Sequence, residues 1–181
     1  MEAAQDLLDT VLKWSANDVE VWLDGLTIGE PVGGECFNWE VFAFTAAARA
    51  GEERSLPWAR VALRVYDGLV NRSPSRIAHS YRLSEMNLRA RLIGDLGAQE
   101  GDPVLDPKIV GTWFQRMATI SVEEAVRLLS LKDLSTLPHD KLLKLRDIKN
   151  ALNILSQIDE TPLVQAQPEL HGWLKLRSQL P

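Results

Sequence analysis

The sequence lacks the features that mark secreted, membrane-spanning and disulfide-rich proteins. Its one cysteine, Cys36, excludes an internal disulfide framework and predicts a reducing, cytoplasmic environment. No segment approaches the roughly 18 consecutive apolar residues that a membrane span requires, so we expect no contact with the membrane interior. The first residues are acidic rather than basic, and we therefore expect no secretory or mitochondrial leader.

The spacings that mark catalytic and metal sites are also missing. The three histidines, His79, His139 and His171, lie far apart and form no His-Glu-x-x-His pair, and one cysteine cannot form a Cys-x-x-Cys motif. The pair Gly33-Gly34 lacks the spacing of a phosphate-binding loop, and no Gly-x-Ser-x-Gly elbow is present. We therefore predict a non-enzymatic protein with no catalytic residues, no metal ligands and no cofactor.

What the sequence does contain is helical periodicity along most of its 181 residues. Apolar residues recur at three- and four-residue steps, and no segment alternates apolar and polar residues as a strand would. Capping-box patterns, Ser15 with Asp18 and Ser121 with Glu124, stand before two of these runs. The sequence predicts an all-α fold of about eight or nine helices, arranged as a compact multi-helix bundle or a helical-hairpin array.

The least apolar stretch, residues 98–107, is the best candidate for an internal boundary. It separates an N-terminal helical lobe, 1–97, from a C-terminal helical lobe, 108–181. The two lobes are either separate or parts of one domain.

Charge is distributed unevenly along the chain, although the whole chain carries a net charge of only −5. Residues 1–53 hold eleven acidic and two basic residues, a net −9, whereas residues 54–97 hold eight arginines and three acidic residues, a net +5. Three interpretations stay open: the arginines face an acidic protein, a phosphate backbone, or the acidic N-terminal part of their own chain.

A short segment near the N-terminus resembles the opening of a sterile alpha motif domain. The resemblance covers about fifteen residues and ends at the loop 27–36. The residues that carry it are Trp14, Ser15, Asp18, Val19, Trp22, Leu23 and Leu26. It implies part of a small five-helix module that serves protein–protein association and in some members RNA binding.

A second local resemblance lies in residues 73–97, which we predict to form two helices joined by a tight turn. The pattern resembles the helix-turn-helix of bacterial response-regulator output domains, and its residues are Ile77, Ala78, Tyr81, Leu83, Ser84, Leu88 and Leu92. The resemblance implies that Leu83 fills the turn and that Ser84 caps a recognition helix. It implies DNA contacts from Arg82, Ser84, Glu85, Asn87, Arg89 and Arg91.

Our leading prediction is a cytoplasmic, non-enzymatic interaction protein, such as an adaptor, an immunity protein or a regulatory subunit. It would bind a protein partner or a second copy of itself through faces of opposite charge. Tryptophan and arginine are enriched in binding hot spots, so the candidate contact residues are Arg60, Arg64, Arg82, Arg89, Arg91, Trp14 and Trp173. The alternative is a helix-turn-helix transcriptional regulator that binds nucleic acid through residues 73–97.

Overall fold

A computed structural model describes residues 2–98, 101–118, 120–131, 133–158, 164–165 and 167–178, with side chains from residue 6 onward. These residues form nine α-helices with defined bounds, one short 3-10 helix and a single isolated β-bridge between Val32 and Glu35, with no strand among them. The predicted all-α fold class is confirmed.

The first five helices occupy the N-terminal half of the chain. They are α1 (Glu2–Val11), α2 (Ala16–Asp24), α3 (Trp39–Glu52), α4 (Leu56–Arg72) and α5 (Ser75–Leu96). The remaining elements are α6 (Pro107–Met117), α7 (Val122–Leu129), α8 (His139–Leu155), the 3-10 helix Pro168–Leu170 and α9 (His171–Arg177).

The chain divides into two compact units between Leu88 and Arg89, a point that lies inside α5. Unit 1 therefore ends, and unit 2 begins, within one continuous helix, whereas the sequence placed its boundary at residues 98–107. The proposed lobes 1–97 and 108–181 stay a prediction.

The core of unit 1 is centred on α3 and α4, which pack along each other, and α2 also packs against α4. Three alanines of α3, Ala43, Ala46 and Ala50, are fully buried. Their small side chains allow the two helix backbones to approach closely. Gly68 of α4 serves the same purpose, because a Cβ there would lie 2.7 Å from the side chain of Ile28.

The core of unit 2 is built from the apolar stripe of α8 together with α6, α7 and α9. Ile148, Leu152 and Leu155 of α8 are almost completely buried. Near the end of α5, a Cβ on Gly94 would collide with the carbonyl oxygen of Gln157, so glycine is required for this close approach.

Both predicted capping boxes are confirmed in their first hydrogen bond. The Asp18 amide donates to Ser15 Oγ at 3.2 Å, and the Glu124 amide donates to Ser121 Oγ at 3.2 Å. Each serine thus satisfies one of the amides that a helix leaves unpaired at its N-terminus.

The prediction of two helices with a tight turn in residues 73–97 is wrong, because α5 runs unbroken through the predicted turn. No glycine or proline lies between Ser75 and Ile93 to interrupt it. Among the described non-glycine residues only Arg54 has a positive φ, so Arg82 does not turn the chain. Ser84 caps nothing; its Oγ donates to the Ser80 carbonyl at 3.2 Å, one turn earlier in the same helix.

Candidate partner-binding surface

Several arginines of the basic segment pair with acidic residues of their own unit. Arg64 Nη1 lies 2.8 Å from Asp24 Oδ1 and 3.3 Å from the Glu20 carbonyl, which ties α4 to α2. Arg72 Nη1 lies 2.7 Å from Glu30 Oε1. Part of the charge segregation is thus neutralised inside unit 1, and Arg64 is engaged in the fold.

Arg82 is likewise held within unit 1, between two carboxylates. Its guanidinium pairs with Glu85 and, at 3.2 Å, with Asp67 Oδ1 of α4. Partial burial acts to lower the pKa of Arg82, but the hydrogen bonds and charges of Glu85 and Asp67 outweigh it, so that the pKa is raised overall. Glu85 is buried, with 5% of its surface exposed, and the prediction that it faces DNA is wrong.

The remaining DNA-binding candidates do not share one face of α5. On an unbroken helix, positions 82, 85 and 89 fall on one side, and positions 84, 87 and 91 fall on the opposite side. Arg89 is half-buried, and its Nη1 donates to the Pro103 carbonyl at 2.7 Å within unit 2. Asn87 and Arg91 are exposed. The residues predicted from the helix-turn-helix resemblance to contact DNA therefore lie on two opposite sides of α5.

Three partner-binding candidates remain, and two of them, Arg60 and Trp173, differ in their exposure to solvent. Arg60 lies exposed on α4, as a contact residue would. Trp173 does not: it is buried in unit 2, with 8% of its surface exposed, and its ring packs edge-on against Phe114 at 5.3 Å. The prediction that Trp173 lies on a partner surface is therefore corrected; it is a core residue.

Trp14, in contrast, is half-buried and reaches the surface of unit 1. Its indole meets that of Trp22 at a right angle, with ring centroids 6.0 Å apart. Trp22 is also half-buried. The two tryptophans therefore present one partly exposed aromatic pair.

A buried aromatic platform supports this pair from inside. Trp22 stacks on Trp39 at 6.2 Å with an interplanar angle of 24°, and it contacts the rings of Phe37 and Phe42 at 5.6 and 6.2 Å. All three supporting rings are buried, and Trp39 Nε1 donates to the Glu30 carbonyl at 2.8 Å. Such packing fixes the position of the Trp22 ring.

Two further side chains of α2 complete the exposed face. Asp18 and Val21 both lie within one turn of Trp22, at spacings that place all three on the same side of the helix. Val21 is among the most exposed large apolar residues described, at 71% of its surface. We call Trp14, Asp18, Val21 and Trp22 the α2 surface.

The sequence contains a signal for this face that helical periodicity alone does not reveal. Val19 and Leu23 form the buried stripe of α2, and Val21 lies outside that stripe. A single exposed apolar residue is common on protein surfaces, but one that lies beside partly exposed aromatic rings enlarges an apolar patch, and such patches mark contact surfaces. Phe44 of α3, exposed at 70%, is a second exposed large apolar residue.

The carboxylate of Asp18 differs from those of neighbouring acidic residues. Asp24 and Glu30 each pair with an arginine, whereas Asp18 Oδ2 accepts only from Ser15 Oγ, at 2.6 Å, among the residues the structure describes. Asp18 is exposed, lies one turn before Trp22 on α2, and bonds to Ser15, the residue that follows Trp14. The α2 surface thus combines apolar rings with a negative charge that has no basic partner in the described part of unit 1.

No group of three or more histidine, cysteine, aspartate or glutamate side chains is placed to hold a metal ion in the described ranges. None of the helices described is both long enough and apolar enough to cross a membrane.

Comparison with known proteins adds no relative to these findings. No protein-family model, no curated protein and no solved structure matches this chain.

Proposed function

We propose that this is a non-enzymatic, cytoplasmic protein–protein interaction protein that binds its partner through the α2 surface. The observation that carries the proposal is the half-buried Trp14–Trp22 pair, which reaches the surface, is held on buried aromatic rings and is flanked by the exposed Val21. Tryptophan concentrates binding energy at interfaces, and a pre-positioned ring loses little conformational entropy on binding. An adaptor, an immunity protein or a regulatory subunit would each use such a surface.

The arrangement of charge also favours a protein partner over nucleic acid. Residues 1–53, which contain the α2 surface, carry a net −9, and a phosphate backbone would be repelled there. Arg64, Arg72 and Arg82, three of the eight arginines in residues 54–97, already pair with carboxylates of unit 1. The helix-turn-helix that motivated DNA binding requires a turn that the unbroken α5 lacks.

Affinity capture with matched variants tests this function. Wild-type protein, Trp14→Ser and the control Phe44→Ser are immobilised, and the proteins that each retains from a lysate of the source organism are quantified. Phe44 is exposed at 70%, nearly as much as Val21, but it belongs to α3, so it controls for the loss of exposed apolar area. We expect a protein that co-elutes stoichiometrically with wild type and Phe44→Ser, and that binds Trp14→Ser about thirtyfold more weakly.

A partner can also be a second copy of the chain, which sizing chromatography of the three proteins detects. Loss of a wild-type dimer in Trp14→Ser alone would support the α2 surface equally well. Absence of any stoichiometric partner and of any self-association would contradict the proposed function. A partner that binds all three proteins equally would contradict the assignment of its site.

A further inference from the structure

We propose that the α2 surface recognises a positively charged side chain of its partner, an arginine packed against Trp14 and Trp22 with Asp18 as its counter-ion. This inference rests on the proposed function and names the chemistry of the partner segment, which would be basic. Three separate observations support it: the geometry of the indole pair, the lack of a basic partner for the Asp18 carboxylate among the described residues, and an arginine–indole contact elsewhere in the chain.

The geometry of the two indoles suits a cation. A cation is attracted to an indole face when it lies within about 6 Å of the ring centroid. Trp14 and Trp22 are perpendicular, with centroids 6.0 Å apart, so they form a corner in which one cation lies within reach of both rings. Because Trp22 is fixed by its stack on Trp39, the corner is present before a ligand arrives.

The charge at this corner selects the sign of the ligand. Asp18 is exposed, lies one turn before Trp22 on α2, and has its Oδ2 bonded to Ser15, the residue that follows Trp14. A neutral apolar side chain docked here would desolvate this carboxylate without replacing its lost hydration. A cationic side chain would instead provide the hydrogen-bond donors that the carboxylate needs.

The identity of the cation follows from a contact inside the same unit. The guanidinium carbon of Arg49 lies 4.0 Å from the centroid of the Trp58 ring, while the same side chain donates to the Leu12 carbonyl and pairs with Glu53. Planar guanidinium stacks on an aromatic face and still donates in its own plane, which an ammonium group cannot do. The α2 surface offers the same combination of ring and carboxylate without an arginine of its own among the described residues.

A titration with small probes tests the inference without any knowledge of the partner. The six tryptophans give six indole N–H signals in a ¹H–¹⁵N spectrum, assigned through single Trp→Phe variants. The probe is N-acetylarginine amide, and the control is N-acetylcitrulline amide, which has the same shape but no charge, at equal ionic strength. We expect saturable shifts of the Trp14 and Trp22 signals with the arginine probe only, while the signals of the buried Trp58, Trp113 and Trp173 stay in place.

Charge variants connect the shift to Asp18. Asp18→Asn keeps a side-chain oxygen beside Ser15 but removes the charge, so it should weaken the arginine probe about two- to fivefold. Asp95→Asn, which removes one exposed acidic residue from unit 2, should leave the affinity unchanged. Unchanged positions of the buried indole signals show that each variant is folded.

The inference is overturned if Trp14 and Trp22 do not respond, if the citrulline probe shifts them equally, or if Asp18→Asn and Asp95→Asn behave alike. None of these outcomes would by itself contradict the proposed function. A partner captured in a Trp14-dependent way would still show that the α2 surface binds protein, and only its cationic occupant would be rejected.

Discussion

Each unit of the molecule contains an edge-to-face aromatic pair, but the two pairs differ in their surroundings. In unit 2, Phe114 and Trp173 are 5.3 Å apart and both are buried. In unit 1, Trp14 and Trp22 are 6.0 Å apart, and each is only half-buried. The same ring geometry therefore stabilises the core of unit 2, whereas in unit 1 it leaves part of both rings accessible to a partner.

The two capping boxes show the same contrast in charge. Ser15 and Ser121 cap α2 and α7 with equal hydrogen bonds of 3.2 Å. Glu124 then pairs with Arg127 at 2.9 Å and, from α8, with Lys141 at 3.1 Å, whereas Asp18 bonds only to its serine among the described residues. The capping hydrogen bond forms within one turn of a helix. Whether the carboxylate of the capping box also forms an ion pair depends on which basic side chains the fold places next to it.

Replacing the tryptophans gives the largest expected difference between the units. Trp173→Ala should lower the free energy of unfolding by about 3–5 kcal/mol, because it leaves a cavity against Phe114. Trp14→Ala should cost less, about 1 kcal/mol, since Trp14 is only half-buried and part of its surface is already in contact with solvent. Urea denaturation followed by circular dichroism measures both, and equal losses would show that Trp14 is a core residue.

Removing the capping serines should instead make the two units alike. Ser15→Ala and Ser121→Ala each lose a hydrogen bond of the same length to an N3 amide, so each should cost about 1 kcal/mol. The same urea experiment tests this. Replacement by threonine, which keeps the hydroxyl, is the matched control and should restore most of the loss. A cost confined to one unit would mean that tertiary contacts, not the local cap, determine it.

The smallest expected effect concerns the carboxylate of Glu124 and its dependence on pH. Hydrogen bonds from Arg127 first, and then from Lys141, lower the pKa of Glu124 from 4.5 to about 2. Its ionised form is therefore favoured by the folded state, and its stabilising contribution is complete above pH 4.5 and lost as the pH falls toward about 2.

Acid titration of stability measures this contribution. Glu124→Gln should be slightly less stable than wild type near neutral pH, and the difference should vanish below about pH 2. Lys141→Met should reduce the pH-dependent part, because one of the two basic partners is removed. A difference between wild type and Glu124→Gln that does not change with pH would contradict the ion-pair explanation.

The course of α5 shows where local patterns mislead. The apolar positions that fit a helix-turn-helix fit one continuous helix equally well. Ile77, Tyr81, Leu88 and Leu92 follow each other at steps of four, seven and four residues, which place them on one face of a single helix. Only the surroundings distinguish the two, and Arg82 is held by Glu85 and by Asp67 of α4 as part of an unbroken helix. The helix-turn-helix pattern covers about twenty residues. Asp67 lies outside them, in α4, so the pattern could not reveal that it pairs with Arg82.

Charge segregation raised a similar ambiguity, and tertiary pairing resolved part of it. The segment totals of −9 and +5 are properties of the sequence, and they allow an internal or an external partner equally. Asp24 and Glu30 are matched by Arg64 and Arg72 only because the fold places α2 and the loop after it beside α4. Asp18 lies in the same acidic segment, yet no described base reaches it.

By itself the sequence determined the helical class, the starts of α2 and α7, and the absence of familiar catalytic spacings, because these depend on periodicity and on contacts within one turn. Only the tertiary structure decided that α5 is unbroken, that Trp173 is buried, and that the half-buried rings of Trp14 and Trp22 meet at the surface of unit 1. Burial and pairing depend on residues that are distant in the chain. The physical reason is that a helix specifies its own hydrogen bonds, whereas its neighbours specify which of its side chains remain in water.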